Sequence, residues 1–494
     1  MRNGYRFIFL LVLLPFSGCM SGPFKTEEPD VEIRIDASQT HQEIWGFGAT
    51  IGRSGNGIHR FEELPEETQR KLYDFLFLNE GSNIGLTIAA LTVKPFHNPV
   101  PGVYIWPESD KATLTEAQKK QMADTDLQIK FAHEAQKRCP ELQFKATSFT
   151  PPVWMKAPRG VGQPEPNNVP TLNGGYLKPE LYVEFAQWLY IWTEKFKNDY
   201  NVSFKWLAPQ NEPDMMSMWH QAWYKDNIAG FDEMMFQVAN LFKEKGSAIL
   251  LGGPDTSGIG PAANFIEGMS KSRALLGFIG THCYNYRDRT TVAPIKDNLG
   301  RLEKWNIPIM QDEICDGHNT DTTYNSSSQP DGPDFIRWAE QMSIFLNGNA
   351  AAYMYWWFTA GHTDTNQMLI PFNPEDGNYE LTKRCFAFGQ FSRYMRPGDV
   401  RIETTVSGLT DNERFYATAV KTPEGCISLV VTNRTDSDIV AHIRGINSKF
   451  IGGRQTNRTQ NMVMLEAVKA EKDIFTVIFP ALSVTSLCED NYVN

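Results

Sequence analysis

Two glutamates sit where short apolar stretches end in clusters of polar residues. Phe204 to Ala208 reads as a buried strand that runs into Gln210-Asn-Glu-Pro213, and Pro213 stops any ladder from continuing past Glu212. About a hundred positions later, Ile307-Pro-Ile-Met-Gln-Asp-Glu313 has the same build, a spacing of about two to three strand-helix units in an α/β barrel. Carboxylates at the ends of two strands of one barrel face each other across its mouth. Two carboxyl groups flanking one bond are what cleavage of a glycosidic linkage needs.

That chemistry asks for one neutral and one ionised carboxyl at the same pH, so their surroundings must differ. Glu313 is the expected nucleophile, ionised if it accepts hydrogen bonds from His282 or Tyr284 at the end of another strand. Glu212 is then the acid/base, and Asn211 beside it suits a sugar hydroxyl. Trp154, held by the flanking Pro151 and Pro152, and the Trp356-Trp357 pair are candidate stacking surfaces for a sugar ring, although core packing is the alternative use of any such ring. Asp214, Asp255, Asp312 and Asp316 lie near predicted strand ends and compete for the same roles.

The elements that must position these residues alternate strand and helix from 44 to 396. Expected strands are Ile44–Thr50, Asn83–Val93, Leu142–Phe149, Phe204–Ala208, Ala248–Gly253, Gly277–Thr281, the stretch carrying Glu313, and Ala350–Trp357. Helical patterns fall at Glu66–Phe77, Thr115–Lys137 and Phe231–Lys245. Leu181, Phe185, Trp188, Leu189, Trp192 and Phe196 also recur at helical spacing and read as core. The expected fold is α/β, a (β/α)8 barrel over 44–396. From 397 to 494 the helical period disappears. Short strands at 415–420, 427–432, 439–443, 462–466, 474–479 and 483–487 read as a β-sandwich, to which Val31-Glu-Ile-Arg-Ile-Asp36 within 31–43 adds a half-buried strand.

Composition narrows the partners. A chain of 494 residues with formal charge −11 is a poor match for nucleic acid. The 12 Trp, 17 Tyr and 31 Phe suit a large core and sugar subsites alike. Neither the nine histidines nor the seven cysteines show metal-ligand spacing, and no glycine loop would cradle phosphate, so no metal or cofactor is expected. Residues 1–18 read as an export signal, with Arg2 and Arg6 ahead of an apolar run. Phe16-Ser-Gly-Cys19 resembles a bacterial lipoprotein signal, which implies lipidation of Cys19, a tether over 19–30, and membrane attachment at the outer membrane or cell surface.

With Trp45-Gly-Phe-Gly-Ala49, Ser148-Phe-Thr-Pro-Pro-Val-Trp-Met155, Gln210-Asn-Glu-Pro213, Gly280-Thr-His-Cys-Tyr284, Met310-Gln-Asp-Glu313 and Phe388-Gly-Gln-Phe-Ser-Arg-Tyr-Met-Arg-Pro-Gly398, the chain resembles glycoside hydrolase family 30. The resemblance implies a retaining enzyme built from a (β/α)8 barrel and a side sandwich made by both chain ends. It gives Glu212 the acid/base and Glu313 the nucleophile role. Similarity around Gly280–Tyr284, Tyr355–Phe358 and Pro480–Thr485 looks nearest to the bacterial xylanase branch. Two departures stand out. Thr359-Ala-Gly-His-Thr-Asp364 offers no arginine to pair a glucuronate, and Leu86-Thr-Ile-Ala-Ala-Leu-Thr92 lacks the arginine common on the family's second strand.

The expected activity is therefore endo-β-1,4-xylanase without strict need for glucuronate, acting as a monomer on polysaccharide or oligosaccharide. A β-1,6-glucanase, an exo-acting β-glycosidase of the β-xylosidase, β-glucosidase or β-fucosidase type, and a non-catalytic glycan-binding lipoprotein are the alternatives.

Overall fold

The computed structural model of the chain describes residues 29–52, 61–95, 116–157, 174–216, 220–285, 291–315, 334–361, 367–373, 375–409 and 414–489. Strand β1 (Val31–Glu43) comes first, then β2 (Gly46–Thr50), helix α1 (Glu66–Phe77), β3 (Ile88–Val93), α2 (Glu116–Arg138) and β4 (Gln143–Ser148). A small hairpin, β5 (Lys156–Ala157) with β6 (Tyr176–Leu177), precedes α3 (Tyr182–Tyr200) and β7 (Phe204–Ala208). Next are α4 (Ile228–Glu244), β8 (Leu250–Thr256), α5 (Ile259–Gly268), β9 (Phe278–His282), α6 (Val292–Glu303) and β10 (Ile309–Glu313). The barrel ends with α7 (Asp334–Asn347), β11 (Ala350–Ala360), β12 (Met368–Pro371) and α8 (Lys383–Ser392).

Strands β2, β3, β4, β7, β8, β9, β10 and β11 pair in parallel in that order, and β10 pairs with β11 to close the ring. A closed parallel sheet buries both faces, so its strands carry two sets of side chains. Phe47, Phe144, Leu207 and Tyr353 face the helices. Trp45, Ile88, Ala90, Trp206, Phe278, Met310 and Met354 fill the lumen, with the rings of Trp45 and Trp206 5.4 Å apart. The helices end where the sequence supplies the stops. Asn201 closes α3 with a left-handed φ of 53°, and the Asn227 side chain caps α4 by accepting from Gly230 N at 2.9 Å.

The second body contains β13 (Val400–Ser407), β14 (Phe415–Lys421), β15 (Ile427–Asn433), β16 (Ile439–Arg444), β17 (Phe450–Thr456), β18 (Val463–Met464), β19 (Val468–Lys469), β20 (Phe475–Phe479) and β21 (Ser483–Glu489). These nine strands and β1 fold around a core containing Ile33, Ile402, Leu429, Ile443, Phe475 and Phe479. β1 lies inside the sheet, antiparallel to β13 and parallel to β16, with Val31, Ile33 and Ile35 buried. Barrel and sandwich share a polar seam. Arg434 and Glu340 form a fully buried ion pair there, and Tyr416 Oη donates to Glu340 Oε1 at 3.1 Å.

Expected and observed boundaries agree closely for β7 and α1 and differ elsewhere. The second barrel strand starts at Ile88 and not at Asn83, because residues 84–87 lie buried ahead of the ladder, with the amides of Ile84, Leu86 and Thr87 already donating to carbonyls of Phe75, Leu76 and Phe47. Three sandwich strands, β13, β17 and the two-residue β19, have no counterpart in the sequence reading. β17 contains Gly452 and Gly453, a residue type depleted in strands, yet a Cβ at Gly453 would stand 1.8 Å from Ser486 O, so this glycine lets β17 lie against β21. The expected strand at 462–466 shrinks to Val463–Met464.

Candidate active site

Glu212 and Glu313 both reach the C-terminal rim of the barrel, from β7 and β10. Past Ala208 the chain turns sharply. Asn211 N donates to Ser148 O at 2.8 Å, and Glu212 N donates to Asp255 O at 2.8 Å, so the ends of β4 and β8 hold this turn. Gln221 Nε2 donates to Glu212 O from the other side. These contacts keep Glu212 at φ 44°, a left-handed conformation that non-glycine residues avoid and that persists only when its surroundings enforce it. The strained residue is the one the sequence marks for chemistry.

Between the two glutamates stands His282, the last residue of β9. Its Nδ1 is 3.1 Å from Glu212 Oε1 and 3.7 Å from Glu313 Oε1, and the three side chains bring one atom each to within 4.8 Å of one another. Tyr284 Oη donates to Glu313 Oε1 at 2.9 Å. Sequence reasoning offered either His282 or Tyr284 as the donor to Glu313. Tyr284 takes that role, and the closer contact of His282 is with Glu212, because the imidazole reaches across the lumen toward the end of β7.

Burial works against a charge on His282, but the Glu313, Glu212 and Asp312 carboxylates outweigh it and push the imidazole up to about 10. Burial holds the Tyr284 hydroxyl well above its ordinary value, with Cys315 and the two glutamates adding to the effect, so it remains a donor. Below this level lies a second charged layer. Lys145 Nζ from β4 is 2.9 Å from Asp255 Oδ2 and 3.0 Å from Asp312 Oδ2, and all three side chains are buried. Asp312 Oδ1 is 3.8 Å from His282 Nε2. Burial and the neighbouring Asp255 outweigh Lys145 and His282 and push the Asp312 carboxyl up to about 8. Gly280 makes room for the layer, since a Cβ there would sit 1.8 Å from Asp255 Oδ1 and 2.8 Å from Asp312 Oδ2.

The rival carboxylates therefore have other partners. Asp255 and Asp312 belong to the lumen layer, and Asp214 accepts from Ser257 N at 3.0 Å and Ser257 Oγ at 2.6 Å. Asp316 lies outside the described residues, as do Cys19 and the 1–28 segment, and residues 362–364. Asn211 is buried beside Glu212, and its Oδ1 has no hydrogen-bond partner among the described residues. Trp356 and Trp357 stack with centroids 5.4 Å apart, Trp357 half-buried and Trp356 buried against Phe149. Trp154 is half-buried in a short turn of 3₁₀ helix and packs on the main core.

Two trios of side chains bring possible metal ligands together, Glu212-His282-Glu313 and Asp255-His282-Asp312. Both depend on His282, whose proton the surrounding carboxylates favour and a metal would have to displace, and in the second the Lys145 ammonium already occupies an oxygen of each aspartate. Lys145 was not among the residues the sequence suggested. Its only signal there is the single charge in a strand whose other polar residues, Gln143, Thr147 and Ser148, are neutral.

The closed barrel, the side sandwich and the paired rim carboxylates define the architecture of a glycoside hydrolase. Residues 398–487 match the model of the Glycosyl hydrolase family 30 beta sandwich domain. That match covers the sandwich, and the fold of the whole chain is similar to those of solved family 30 enzymes. The chain is 22% identical over 290 residues to the "Glucuronoxylanase XynC" of Bacillus subtilis (strain 168), a match that takes in 56% of this chain and 56% of that protein, about half of its length. Its fold is similar to the catalytic domain of the GH30 xylanase C from Talaromyces cellulolyticus, with TM-score 0.72 and 17% identity over 92% of this chain and 99% of that one. It is also similar to the endo-beta1,6-glucanase BT3312, with TM-score 0.67 and 16% identity over 92% and 94%.

Proposed function

We propose that the protein is a retaining glycoside hydrolase acting on a β-linked polysaccharide, with xylan the first candidate. One observation carries the reading: the carboxylate oxygens of Glu212 and Glu313 lie within 4.8 Å of each other across the barrel mouth. Retaining enzymes hold their two carboxyls about 5–5.5 Å apart, whereas inverting ones leave room for a water at about 6.5–9.5 Å. In the first step Glu313 attacks the anomeric carbon while the proton of Glu212 passes to the departing glycosidic oxygen. The bond broken is C–O and the bond formed is a glycosyl ester on Glu313. In the second step Glu212 takes a proton from water, the water oxygen attacks the same carbon, and the ester opens with retained configuration. Tyr284 donates to Glu313 throughout and steadies its charge as it changes.

Endo-β-1,4-xylanase action without strict need for glucuronate is the specific proposal. It is supported by the xylan-directed relatives and by the lack of a cation at Thr359-Ala-Gly361, just past the strand that carries Trp356 and Trp357. The β-1,6-glucan alternative is supported by the likeness to a β-1,6-glucanase. The test is release of reducing sugar from xylans with and without glucuronate and from β-1,6-glucan, with Glu313→Gln as control and proton NMR of the first anomer released. A ladder of xylo-oligosaccharides of retained configuration, lost in the variant, is expected. Binding without turnover by the native protein would favour a glycan-binding role. Export and lipidation at Cys19, and a monomeric state, are part of the same proposal. Cys19→Ser should then leave the membrane fraction, and the tether-free protein should elute as one copy.

A further inference from the structure

The charged layer beneath the glutamates is costly for a barrel lumen. The Lys145 side chain is 2% exposed, and Asp255 and Asp312 are 0% exposed, in a lumen otherwise filled by Trp206, Phe278 and Met310. Taking charges out of water costs several kcal/mol per ion, and well-packed apolar side chains of the same volume often serve stability as well or better. A methionine at 145 would fill the lumen without that cost, so packing alone does not account for the lysine.

Geometry supplies a different account. Lys145 is fixed by three contacts, to Asp255 at 2.9 Å, to Asp312 at 3.0 Å and to Thr147 Oγ1 at 2.8 Å. Asp312, thus anchored through Oδ2, turns Oδ1 toward His282 Nε2. The far side of the same ring touches Glu212 and Glu313. The ring is therefore held by a hydrogen bond at Nδ1 and by the charge of Asp312 3.8 Å from Nε2, which together favour one orientation. We propose that Lys145 and Asp312 are positioning residues that lock His282 between the two glutamates, so that the barrel interior sets the spacing of the acid and the nucleophile. This rests on the reading of Glu212 and Glu313 as the reacting pair.

The charges around His282 agree in sign. It is faced by Glu212 from the end of β7, Asp255 from β8, Tyr284 just past the end of β9, and Asp312 and Glu313 from β10, with Lys145 of β4 beyond the aspartates. Carboxylates therefore outnumber the one ammonium, and the protonated ring can donate from both nitrogens. The opening at Gly280, with no Cβ to collide with either aspartate, is what lets the layer lie close under the ring.

The test separates this inference from the activity itself. Asp312→Asn keeps the shape and the Lys145–Asp255 pair. With ¹⁵N-labelled histidine, the native His282 ring is expected to stay protonated beyond pH 8, and in Asp312→Asn its titration should move down by about one unit or more. On the polysaccharide best cleaved in the screen, kcat should fall about tenfold or more with KM within about twofold. Introduced into His282→Gln, the same change should cost no further activity, because its effect runs through the ring. A neutral His282 at pH 7 in the native protein, an unmoved titration in Asp312→Asn, or a loss that adds to that of His282→Gln would overturn the inference. Should Asp312→Asn not fold, the native titration decides. The NMR arm needs no substrate, so failure of the glycosidase reading, seen as unchanged turnover in Glu313→Gln, is a separate result.

Discussion

The Tyr284 hydroxyl gives its hydrogen bond to Glu313, oxygen to oxygen at 2.9 Å, from the residue two places past the end of the neighbouring strand β9. A hydrogen bond to a charged group is worth about 1.5–3 kcal/mol. Tyr284→Phe should therefore reduce kcat/KM by roughly 10- to 100-fold while the melting temperature stays close to native. Steady-state kinetics beside a thermal melt checks both halves.

Glu212 and Glu313 should differ in how they fail. General acid catalysis is worth about 10²–10⁴-fold, and a good leaving group needs little of it. Glu212→Gln should thus lose most of its rate on polysaccharide and far less on an aryl β-glycoside with an acidic phenol in the first, bond-breaking step. Glu313→Gln should lose both alike. Pre-steady-state phenol release by the two variants distinguishes them.

Gly280 is predicted to tolerate no side chain. The methyl group of Gly280→Ala would overlap Asp255 Oδ1, and overpacking of this kind costs typically about 1–3 kcal/mol. Urea unfolding should shift to lower denaturant, and a midpoint equal to native would remove the close approach from the account.

The raised His282 also predicts a pH dependence of stability. The surrounding carboxylates push the folded ring up to about 10, against about 6.5 for a free imidazole. Protonation is then tighter in the folded state. The stabilisation is fully present below about pH 6.5 and declines as pH rises toward 10. The difference in unfolding free energy between native protein and His282→Gln, measured from pH 6 to 10, should shrink over that interval.

At the seam between barrel and sandwich, Glu340→Gln leaves Arg434 buried without its counter-charge. Breaking a buried pair by one partner costs about 3–5 kcal/mol. Arg434→Met combined with Glu340→Gln should recover a good part of that, which denaturant titration of the three variants would measure.

The parts of this fold legible in the chain are those where periodicity and a terminator coincide. β7 is bounded by polar residues and Pro209, and its five residues were read without error because nothing inside it contradicts a strand. The rim glutamates were legible for the same reason. What the sequence hid is contact across the lumen. Lys145, Asp255 and Asp312 come from three strands far apart in the chain, and only ring closure makes them neighbours. The donor to each glutamate was hidden likewise, since His282 and Tyr284 are two positions apart and the twist of the strand end decides which carboxylate each meets. In the sandwich, glycine is depleted in strands, and close packing against β21 overrides that at Gly452 and Gly453.

The placement of β1 also bears on how the polypeptide matures. Emerging from the ribosome ahead of the entire barrel, this segment carries Val31, Ile33 and Ile35 with no partner to cover them until β13 and β16 have been synthesised. Unpaired strand edges are templates for aggregation, so the nascent chain depends on being shielded until its last strands arrive. Fragments that end after α8 would keep that exposure permanently, making the terminal hundred residues a condition for solubility as much as a separate module.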